Sequence, residues 1–148
     1  MDKYVEKING YLHLLELINH DCDRVSDYYI VKLEDGKSLL DSINKYHKSL
    51  TESFPPEYWH PNLEIVNFDD VEVTAGRWFF EHEDLDSLHK NTRMSIMNGF
   101  YDMLFEIMDN FKVYRLITAP PIWYGSLYDE YIFESSYGNY LLHFSCTD

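Results

Sequence analysis

The side chains best equipped for chemistry are the histidines and the carboxylates beside them. His13, Glu16 and His20, followed by Asp21, Cys22 and Asp23, are spaced three and seven apart, which sets the first three on one side of a helix. Imidazole with carboxylate suits zinc or iron. A centre needs three or four convergent ligands, however, and the His-Glu-x-x-His order of zinc proteases is absent. An acidic surface helix yields such spacings by chance, so these residues read as an exposed polar edge. His82 and His89 flank Glu83, Asp84 and Asp86, a cluster that reads as an acidic cap complementing a helix dipole. Glu134 and His143 form a third group, since a carboxylate beside an imidazole can orient it for acid–base work. No G-x-S-x-G is present, the six glycines are scattered singly, and Cys146 falls near the end in an apolar register. No catalytic residue, metal or cofactor is therefore expected.

The Glu134–His143 pair depends on the element that carries it. The run YDEYIFESSYGNYLLHFSCTD, Tyr128 to Asp148, reads as a β-hairpin. With Gly138-Asn139 as a two-residue turn, Tyr131 faces Cys146, Phe133 faces Phe144 and Ser135 faces Leu142. The other face pairs Ile132 with Ser145 and Glu134 with His143. One face is apolar and the other mixed, so helices must cover the sheet.

Those helices are sought upstream. Tyr4, Val5, Ile8, Tyr11, Leu12, Leu15 and Ile18 recur at helical spacing over residues 3–20. A second helix is expected from Lys37 to Glu52, ended by Pro55 and Pro56, and a long one from Asp86 to Asn110. In the long helix Gly99 is read as a place where another element packs closely. Asp27 to Leu33 is either a short strand or a helical turn. Leu63 to Phe68 and Val71 to Phe80 are rich in β-formers, with Asp69-Asp70 as a turn between them and Gly76 as a bulge. Val113 to Thr118 is a further strand. The expected fold is one α+β domain over residues 1–148, an antiparallel sheet with its C-terminal hairpin packed against helices.

Charge narrows the function. The 148 residues hold 26 acidic and 12 basic side chains, a net charge of −14. Such a field repels nucleic acid and anionic membrane and attracts cationic partners. No apolar run approaches the ~18 residues of a membrane span. Two cysteines, Cys22 and Cys146, fit a reduced cytoplasmic protein. Aromatic residues make up 17%, and those left outside the core favour protein interfaces.

This small, acidic, Tyr-rich chain, with its ending YDEYIFESSYGNYLLHFSC, resembles immunity proteins of bacterial polymorphic toxins, including those of contact-dependent growth inhibition systems. The resemblance implies a cytoplasmic protein that binds a cognate toxin domain, often a basic nuclease, at or beside its active site. The reading is a non-enzymatic binder of a basic protein. Its expected contacts are Asp69, Asp70 and Glu72 at one turn, and Trp123, Tyr124, Tyr128, Asp129 and Glu130 before the hairpin. The alternatives are an enzyme or small-ligand domain, with its pocket between the long helix and the sheet near Glu134 and His143, and a structural subunit.

Overall fold

The computed structural model describes residues 2–19, 25–50, 60–80, 89–119 and 127–147. Its elements are α1 (Lys3–Ile18), β1 (Val25–Lys32), α2 (Leu39–Leu50), β2 (His60–Val66), α3 (Phe68–Phe80), α4 (Lys90–Ile107), β3 (Lys112–Ala119), β4 (Leu127–Ser135) and β5 (Gly138–Thr147). The five strands form one antiparallel sheet in the order β1-β5-β4-β3-β2. The fold is α+β, as expected.

Side-chain alternation splits the core between the two faces of this sheet. Tyr131, Phe133, Leu142 and Phe144 point to one face and pack with α1, α3 and α4. Phe79 of α3 lies at the centre there, edge-on to Phe100 of α4 at 5.4 Å and to Phe144 at 5.8 Å. Each such buried ring contributes about 1.5–3 kcal/mol of burial. The opposite face carries Leu116, Ile132 and Leu141, covered by Ile43 of α2 and Leu33.

The α1 helix begins at Asp2, whose carboxylate accepts from the Tyr4 amide at 2.9 Å. Its buried residues, Ile8, Leu12 and Leu15, belong to the expected stripe. Asn9 ties this helix to the free side of β1: its side chain accepts from Ile30 N–H at 2.7 Å and donates to Ile30 O at 2.9 Å. In α4, Gly99 faces Tyr11, whose hydroxyl would lie 2.9 Å from an added Cβ and donates to Ile96 O at 2.6 Å. The close approach expected of Gly99 is present.

Two expectations are corrected. Val71 to Phe80 is helix, not strand, and Asp69 and Asp70 fill its first turn. The burial of Val71, Thr74, Ala75 and Phe79 follows the helical period. Gly76 is inside this helix with open space beside it, and marks no bulge. The hairpin turn is Ser136-Tyr137, with Ser135 opposite Gly138, Phe133 opposite Tyr140 and Tyr131 opposite Leu142. Phe133 and Phe144 are therefore not cross-strand partners. Gly138 opens β5 at φ 143°, and an added Cβ would lie 2.8 Å from Lys32 Cε. Glycine is needed there for its positive φ, while the flexible Lys32 side chain could move aside. The corrected register slips by an even number of residues, so every side chain keeps its expected face.

Candidate functional site

The corrected register places Glu130, not Glu134, opposite His143. Glu134 lies opposite Asn139 and accepts from Tyr114 OH at 3.2 Å. His143 Nδ1 stands 3.0 Å from Glu130 Oε2, and His143 Nε2 stands 2.8 Å from Ser145 Oγ. An ionised carboxylate only accepts, so Nδ1 carries a proton toward it. From α2, His47 Nδ1 donates to Ile43 O at 3.0 Å, which aims Nε2 at Glu130 Oε1, 3.8 Å away. Tyr29 stacks on the His143 ring at 4.7 Å and shares a 2.6 Å hydrogen bond with Tyr46. Burial pushes the Glu130 carboxyl up, but the His143 hydrogen bond and the electrostatics of the neighbouring His143 and His47 rings outweigh it and hold the pKa below the ordinary range. Burial, with the Glu130 charge, raises Tyr46 to about 12.

Ser145, His143 and Glu130 stand in the order of a nucleophile, a base and its orienting carboxylate. All three are buried, and the grooves lined by Ile65 to Phe68 with Phe111 to Val113, and by α3 with α4, do not border them. Ser145 sits mid-ladder between Asp27 and Tyr128, within an extended strand rather than at an exposed turn. The arrangement joins α2 to the sheet. His143, expected to line a pocket between the long helix and the sheet, faces α2 on the other side of the sheet.

A second polar cluster lies on the α3 side. Arg115 of β3 donates to Asp70 Oδ2 at 2.9 Å, to Asp129 Oδ1 at 3.0 Å and to Tyr131 OH at 2.7 Å. Trp78 Nε1 donates to Asp129 Oδ2 at 2.8 Å, and Tyr131 OH lies 2.6 Å from Asp70 Oδ2. Burial raises the Asp70 carboxyl, but bonds from Tyr131 and Arg115 and the Arg115 charge hold it below its ordinary range.

The expected contact residues therefore separate. Asp69 and Glu72 are exposed on α3. Asp70 and Asp129 are both bound by Arg115. Glu130, expected at the surface, is buried. Tyr128 is half-buried on β4 opposite Ser145. Trp123 and Tyr124, like His20, Cys22 and His82, lie outside the described residues. Glu16 accepts from Tyr28 N–H at 3.0 Å and lies 3.4 Å from His13, and no metal-binding group occurs among the described residues. His89 caps α4, accepting from the Asn91 amide at 3.1 Å. Cys146 is buried. No helix among the described residues is long and apolar enough to cross a membrane.

Sequence reasoning found His143 but missed Ser145, His47 and Arg115. Ser145 shares His143's strand face two positions on, so alternation alone could have found it. Arg115 and His47 come from distant elements and carry no local signal. The chain matches no protein-family model, and no curated protein matches its sequence.

Proposed function

We propose that this is an acidic, non-enzymatic binding protein of the cytoplasm that captures and neutralises a basic protein domain, in the manner of an immunity protein acting on its cognate toxin. One observation carries the reading: the carboxylates drawn into the fold are met internally, while the surplus is left facing solvent. Glu130 is met by His143 and His47, and Asp70 and Asp129 by Arg115. Asp27, Glu34, Asp35, Glu64, Asp69, Glu72, Asp102 and Asp109 stay exposed. With these carboxylates at the surface of a chain whose net charge is −14, the field steers a cationic partner and rejects nucleic acid.

The test is a pull-down from native host lysate at low and then moderate salt, read by mass spectrometry. One stoichiometric basic protein, released as salt rises, is the expected result. Recovery of no partner at either salt overturns the reading.

A further inference from the structure

We propose that the open groove between α3 and α4 receives the same groove of a second copy of this chain, closing a four-helix bundle about a twofold axis that crosses both helices beside Gly76. The inference goes beyond the proposed capture of a basic protein and does not rest on it.

The two helices run in opposite directions. Phe80, at the end of α3, lies under Arg93 in the first turn of α4, with 5.8 Å from guanidinium carbon to ring centre. Phe68, at the start of α3, packs on Tyr101 in the second half of α4 at 5.4 Å. Between the helices lies a groove of about 440 Å³. Val73, Met94, Met97 and Tyr101 give it an apolar lining, and Val73 and Met94 remain 65% and 52% exposed. An apolar strip of this kind on a charged surface marks an interaction site. Two antiparallel helices with apolar side chains along their shared groove have the pattern of half a four-helix bundle.

Gly76 lies midway along the α3 wall, and a Cβ added there would meet nothing within 4 Å. A second backbone can therefore approach closely at this point. The charges lie at the two ends. Glu72 stands one turn before Gly76, and Phe80, with Arg93 over its ring, stands one turn after it; Lys90 lies beyond. Burial and then the Glu72 charge raise the Tyr101 phenol, which places this anion at the Tyr101 end. Glu72 and Phe80 are equally far from Gly76, roughly 6 Å along the axis at 1.5 Å per residue. Turning the groove over about Gly76 exchanges its ends, so Glu72 of each copy meets Arg93 of the other while the apolar centres meet between them. A twofold interface has to be complementary to itself in this way. A twofold axis along the helices would instead set Glu72 at the level of Glu72. A basic partner would be repelled by Lys90 and Arg93, and an acidic one by Glu72, whereas a second copy matches both ends.

The test is sedimentation velocity on the full chain over a concentration series, at moderate salt to screen the repulsion between two chains of −14 each. The expected result is a reversible monomer–dimer equilibrium. Gly76→Gln should raise the dissociation constant about tenfold or more, because its side chain fills the crossing point. Its circular dichroism should stay that of the folded chain, since nothing lies beside Gly76 and glutamine favours a helix more than glycine does. Glu72→Arg should weaken the dimer too, although it lowers the net negative charge. A chain that stays monomeric up to its solubility limit overturns the inference. A dimer indifferent to Gly76→Gln overturns the groove as its seat, and one indifferent to Glu72→Arg overturns the twofold arrangement. Should Gly76→Gln fail to fold, Met94→Glu on the exposed opposite wall gives the same readout.

Discussion

Glu130 and His143 stand directly opposite each other on neighbouring strands, with 3.0 Å between Oε2 and Nδ1 and both side chains closed off from solvent. His47 approaches the same carboxylate from α2, so one buried anion joins the helix to the sheet. Removing it leaves two imidazoles buried without their anion. Glu130→Ala is expected to cost about 1–3 kcal/mol, the range for leaving a buried hydrogen-bonding group without its partner. Glu130→Gln keeps the shape and one acceptor and is expected to cost less. Urea denaturation of both variants measures this, and an unchanged midpoint for Glu130→Ala would refute the role.

The same group sets an acid response. Glu130 is held below its ordinary value of 4.5, and Asp70 below its ordinary 3.8. A carboxyl depressed in the fold stabilises it above the unfolded value, and that stability is lost as pH falls through the folded value. Unfolding free energy is therefore expected to hold from neutrality to about pH 5 and to decline below about 4.5. Denaturation across this range should show a shallower decline in Glu130→Gln than in the wild type.

On the other face, Arg115 serves two carboxylates and a phenol at once. Arg115→Met keeps much of the stem but leaves Asp70 and Asp129 with only the more distant Arg77, 4.0 Å from Asp129. A loss of about 2–3 kcal/mol is expected, given what hydrogen bonds to charged groups contribute. Because Trp78 donates to Asp129, its indole N–H resonance should shift in the variant. An unmoved resonance with unchanged stability would show that the cluster is not a unit.

Two helical glycines should respond oppositely. Gly10 is exposed in α1 with open space beside it, so Gly10→Ala is expected to add up to about 1 kcal/mol through helix propensity. Gly99→Ala offers the same gain but pushes on the Tyr11 hydroxyl, which is bonded to Ile96 O. That gain should be cancelled or reversed. Thermal melts of the pair decide it, and equal stabilisation would mean Tyr11 yields freely.

What the sequence reveals here depends on how local the cause is. The α1 and α4 stripes and the hairpin faces are written in short-range periodicity, and they appear in the structure. The helix at α3 was obscured because Val71, Val73, Trp78, Phe79 and Phe80 are all good β-formers. Its start signal was nonetheless present, in Asn67 followed by Asp69 and Asp70. The turn falls two residues before Gly138-Asn139 because Gly138 uses its positive φ to open β5 opposite Ser135, a role that a two-residue glycine turn resembles in sequence. The Glu130–His143 pair was out of reach until that turn was known, and its third member, His47, arrives from a different element.

The two margins of the sheet are finished differently. At β1, Asn9 and Glu16 of α1 occupy the outward backbone groups of Ile30 and Tyr28. At β2, the last strand in the order, no described element covers the outer side, and Pro61 interrupts its row of donors. Two copies meeting there could zip together, and repulsion between carboxylates such as the exposed Glu64 would oppose it. The surplus charge is thus also a guard against aggregation, and acidification would disarm it just as Glu130 begins to lose its hold on the fold.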